Sequence, residues 1–94
     1  MRRLLAGDQE DLDRDVLSVV AGRPRSMTYV IKNTLRSNWQ GAYRDWKGLQ
    51  TAQVLTACRR LERSGYLVEV PTSYAIMKCW DATDAGRRHV GVVL

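Results

Sequence analysis

At Gly65 the apolar residues change their period, and that change limits what this chain can fold into more than any other feature. Before it, Val54, Ala57, Cys58 and Leu61 fall at i, i+3, i+4 and i+7, one face of an amphipathic helix over 52–64. Thr51 stands where an N-cap is wanted, and Gly65 suits the left-handed residue that closes such a helix. After it, Tyr66, Leu67, Val68, Glu69 and Val70 read as a strand. Pro71, Thr72 and Ser73 read as a turn, and residues 74–80 as a returning strand. A helix that runs straight into a β-hairpin places the chain in the α+β class.

Upstream, Leu12, Val16, Val19 and Val20 recur at helical spacing over 8–21, with acids gathered at the start where the helix dipole favours them. Gly22 and Pro24 end that helix. A second helix is expected over 27–36, with Ser26 as N-cap and Val30, Ile31 and Leu35 inward. Residues 37–50 lose the period. They carry Trp39, Tyr43 and Trp46, which read as aromatics covering the edge of a core; a stacking platform for single-stranded bases is the weaker alternative. Thr83 is expected to cap a short helix over 84–89, against the low propensity of Gly86, and 90–94 is an apolar tail that packs on the first helix or joins a dimer. With 94 residues there is chain for one core, so a single domain over 1–94 is expected.

Charge is distributed unevenly. Residues 1–22 carry net −2, residues 23–63 net +7 and residues 64–94 net 0, so the whole +5 arises in the middle of the chain. A concentrated positive segment is the electrostatic footprint of a polyanion binder, since neutralised phosphates release counterions. Opposite the apolar stripe of 52–64, a helical projection puts Gln53, Thr56, Arg59, Arg60 and Arg63 together. Arginine pairs bidentately with guanine and glutamine with adenine in a major groove, which makes Gln53 and Thr56 the candidate base readers and the three arginines base or phosphate contacts. Thr51 completes that helix's candidate surface, Lys32, Arg36, Arg44 and Lys47 would extend it, and Thr72, Ser73 and Tyr74 at the hairpin tip would touch phosphate. The assignment fails if Arg59, Arg60 and Arg63 are all tied up inside the chain, or if the chain's own termini cover that surface.

The run from Thr51 to Val68, TAQVLTACRRLERSGYLV, resembles the recognition helix and following strand of winged helix-turn-helix regulators of the MarR and PadR kind. WDATDAGRR, residues 80–88, is similar to the segment that follows the wing in those families, with Ala82 where leucine is usual. The resemblance covers 51–88 and implies a three-helix core, a two-stranded wing and a short last helix. It further implies sequence-specific binding of double-stranded DNA by a bacterial or phage transcription regulator, with a homodimer compatible with palindromic sites. The loop 37–50 exceeds the three or four residues usual between the helices of a helix-turn-helix, and the chain has no room for the dimerisation helices of those families. A module of the same fold that docks an acidic protein is the competing function.

Other classes fit poorly. The basic start of the chain is interrupted by acids from Asp8 before any apolar core of a signal peptide, and no apolar run spans a bilayer, so a cytoplasmic protein is expected. Cys58, Cys79 and His89 match no zinc spacing and no nucleophile–base pairing, so neither a metal, a cofactor nor an enzyme is expected.

Overall fold

The computed structural model describes residues 6–37, 42, 44–73 and 77–91. Four helices and a small antiparallel sheet follow in the order α1 (Ala6–Gly22), β1 (Ser26–Met27), α2 (Thr28–Arg36), α3 (Thr51–Arg63), β2 (Leu67–Val70), β3 (Cys79–Ala82) and α4 (Asp84–His89). The chain is therefore α+β, as its change of period requires.

Helices α1, α2 and α3 pack on one another around Leu12, Val16, Leu17, Val20, Ile31, Leu35, Val54, Cys58 and Leu61, so the apolar stripes seen in the sequence are buried except for Val30, expected inward on α2 but only half-buried. The sheet closes the open side of this bundle with Trp80, which is 0% exposed. Burial of the indole requires a partner for its N–H, and Trp80 Nε1 donates to Thr28 Oγ1 at 3.0 Å. Thr28 in turn sends its backbone N–H to the Lys78 carbonyl at 3.0 Å, so the first residue of α2 is fastened to the approach of β3.

Several boundaries differ from those expected. Met27, in extended conformation, caps α2. Ser26 lies in β1, which pairs antiparallel with β3 (Ser26 opposite Trp80, Met27 opposite Cys79) and makes the sheet three-stranded, β1-β3-β2, where a two-stranded hairpin was expected. Gln50 and not Thr51 caps α3, and the side chain of Gln53 accepts the Gln50 N–H at 2.9 Å. In the hairpin Val70 pairs with Cys79, and Met77 and Lys78 stand outside the strand, so among the described residues the return strand begins at Cys79; residues 74–76 lie outside the described residues.

Gly65 does what the sequence asks of it. Its φ of 82° lets its N–H reach the Glu62 carbonyl at 3.0 Å while Tyr66 N–H reaches Leu61 at 2.9 Å, the paired bonds of a Schellman end. The chain then turns directly into β2. α4 is capped by Thr83, whose Oγ1 accepts from Gly86 N–H at 3.0 Å, as expected. Gly86 is required by packing: a Cβ there would stand 2.1 Å from the Tyr66 carbonyl oxygen. Val90 packs against the core; residues 92–94 of the apolar tail lie outside the described residues.

Candidate nucleic-acid interface

α3 is wedged between α1 on one flank and the sheet on the other, and its charged residues divide accordingly. Arg60 turns to α1 and forms a forked pair with Asp13, Nε to Oδ2 at 3.0 Å and Nη2 to Oδ1 at 2.7 Å, with 23% of its side chain exposed. Arg59 turns to the sheet. Its Nη1 donates to Glu62 at 3.0 Å and to Glu69 at 2.9 Å, and its guanidinium carbon lies 5.0 Å from the centre of the Trp80 ring. Lys78 joins the same carboxylate, 3.3 Å from Glu69. Glu62 and then Glu69 hold the Arg59 guanidinium more firmly charged than usual, and the Arg59 bond holds Glu69 below the ordinary carboxylate range.

Two of the three arginines on which the outward face depends are thus engaged within the chain, and the face narrows. What remains outermost on α3 is Ala52, Thr56 and Arg63, all exposed, with Thr51 at its start. Among the described residues Arg63 takes part in no ion pair. Thr56 Oγ1 donates back to the Ala52 carbonyl at 2.9 Å, which leaves its oxygen free to accept. Gln53 lies on the α1 side, where it lines a cavity with Asp8, Arg44 and Trp46 besides bonding the Gln50 N–H.

Arg44 is drawn to the acidic end of α1: it bonds Asp8, and its Nη2 lies 2.7 Å from Asp11. Trp46 beside it is buried, its indole N–H donating to the buried Asp15 at 2.6 Å. Trp46 therefore covers the core edge and offers no stacking surface; Trp39 and Tyr43 lie outside the described residues. Lys47 is exposed, 3.5 Å from Asp45. Tyr29, Lys32 and Arg36 share one flank of α2, at i, i+3 and i+7. Tyr29, 44% exposed, lines a groove of about 310 Å³ with Met27, Thr28, Thr51, Leu55, Met77 and Lys78. This groove joins the start of α2, the start of α3 and the base of the hairpin. Sequence periodicity missed it because its walls come from three separated segments. At the hairpin Ser73 is exposed and Thr72 half-buried, while Tyr74 lies outside the described residues.

The cysteines have no reactive character. Burial pushes the Cys58 thiol up to about 12, and desolvation raises Cys79 as well. His89 stacks on Tyr66 with ring centres 4.4 Å apart. Among the described residues no three His, Cys, Asp or Glu side chains are placed to hold a metal ion, and no helix is long and apolar enough to cross a membrane. Compared with protein-family models and with curated proteins, the chain matches none.

Proposed function

We propose that the protein is a winged helix-turn-helix domain that binds double-stranded DNA as a sequence-specific transcription regulator, with α3 in the major groove and the β2–β3 hairpin as its wing. The observation that carries the reading is the setting of α3. Its inner side and both flanks are taken up by the fold, and Ala52, Thr56 and Arg63 are left exposed. The element order and the sheet order β1-β3-β2 are compatible with such a domain, in which a hairpin follows the third helix.

The internal pairing of Arg59, Arg60 and Arg44 shifts the weight of the interface to Arg63, with Lys32 and Arg36 on α2 and Lys47 ahead of α3 as further candidate cations. The informative substitution is accordingly Arg63→Ala. Titration of a fluorescent 20-base-pair random duplex at several salt concentrations is expected to give binding that weakens steeply with salt, by about −0.9 in logarithmic slope for each phosphate neutralised. Arg63→Ala is expected to cost about 1–2 kcal/mol of duplex affinity with the fold intact by circular dichroism. Salt-insensitive binding, or an Arg63→Ala protein that binds like the parent, overturns the reading.

One observation favours a second reading, a module that docks an acidic protein. The groove beside Tyr29 and Leu55 is largely apolar and carries Lys78 at its edge, the chemistry of a peptide site. Absence of duplex binding together with capture of an acidic amphipathic peptide that Leu55→Glu abolishes would establish it in place of the first.

A further inference from the structure

The carboxylate of Glu69 occupies an unusual position for a surface meant to meet phosphate. It stands on β2 at the base of the hairpin, paired in register with Trp80, and takes one cation from each side: Arg59 of α3 at 2.9 Å and Lys78 of the hairpin at 3.3 Å. Glu62 supports the same cluster through Arg59 at 3.0 Å. Two cations and two carboxylates therefore cancel where α3 meets the hairpin. Arg63 on α3 is outside this cancellation. A carboxylate at that place removes attraction that would apply to any nucleic-acid sequence alike.

We propose that Glu69 is a selectivity-determining residue of the duplex site: by holding Arg59 and Lys78 it suppresses sequence-independent phosphate contact at the junction of α3 and hairpin. The proposal rests on the duplex reading above. It sets Glu69 apart from a residue that merely braces the fold, because a brace when removed weakens binding, whereas a carboxylate that withholds cations strengthens it.

Glu69→Gln keeps the shape and the hydrogen-bonding capacity of the side chain and removes one negative charge. In the salt titration with the random 20-base-pair duplex, Glu69→Gln is expected to steepen the logarithmic salt slope by about 1 and to tighten binding roughly eightfold near 0.1 M salt, the worth of one released phosphate contact. Adding Lys78→Gln to Glu69→Gln is expected to return the slope to the parent value. Parent protein that binds with a slope unchanged or reduced by Glu69→Gln overturns the proposal and leaves the duplex reading standing. Failure of both proteins to bind, with both folded by circular dichroism, overturns the duplex reading and this proposal with it.

Discussion

Asp15 sits on α1 among apolar neighbours, a costly place for a carboxylate unless its oxygens are bonded. The indole N–H of Trp46 supplies such a bond at 2.6 Å, and through it the segment that precedes α3 is bolted to the first helix. Asp15→Ala leaves a buried donor without this acceptor, and is expected to destabilise the protein by about 2 kcal/mol, read as a lowered midpoint in urea unfolding. Asp15→Asn retains an acceptor oxygen and should lose less; equal losses for the two would show that packing, not the hydrogen bond, holds the indole. The sequence marks Trp46 as a residue needing cover, but not which group its N–H meets, because the partner lies 31 residues away. The same distance effect governs the basic face. Helical projection separates the arginines of α3 from its apolar stripe correctly, yet gives no hint that Arg60 leans on Asp13, 47 residues earlier. The one available signal was the acidic excess of residues 1–22 set against the basic excess of 23–63.

At the scale of elements, the three long helices were legible because each carries a continuous apolar stripe, and the end of α3 because Gly65 is a local conformational requirement. β1 was not legible: two residues cannot display a period, and its pairing with β3 is decided entirely by tertiary contact. The start of β3 differs for the opposite reason, since residues 74–80 look strand-like throughout while Met77 and Lys78, among the described residues, stand outside the ladder that includes Cys79. α4 shows propensity yielding to packing. Gly86 weakens a six-residue helix, but the backbone of Tyr66 runs where a side chain would be, with Leu17 Cδ1 3.2 Å from the same point. Gly86→Ala is therefore expected to destabilise by about 3 kcal/mol although alanine is the better helix former, with thermal unfolding as the measurement. A stabilised Gly86→Ala protein would mean that α4 does not dock on the link between α3 and β2.

For the molecule as a whole, the pairing of an acidic first helix with basic residues further along makes charge a structural matter. The direction of one pH response follows from Glu69. Its carboxyl is held below the usual 4.5, chiefly by the Arg59 hydrogen bond, so the folded state favours the ionised form. The stabilisation it gives is fully present above pH 4.5 and is lost as pH falls through the lowered folded value. The stability difference between the parent and Glu69→Gln, measured by thermal unfolding, is thus expected to shrink from neutral pH toward pH 3 at low salt; a difference constant across that range contradicts the assignment.

The Asp13–Arg60 fork has a further consequence for how the chain is made. A nascent chain leaving the ribosome exposes α1 well before residue 60 emerges, so the fork cannot close until the segment that carries α3 has been synthesised. Helix α1, though translated ahead of α3, must wait for it to gain its full set of neighbours.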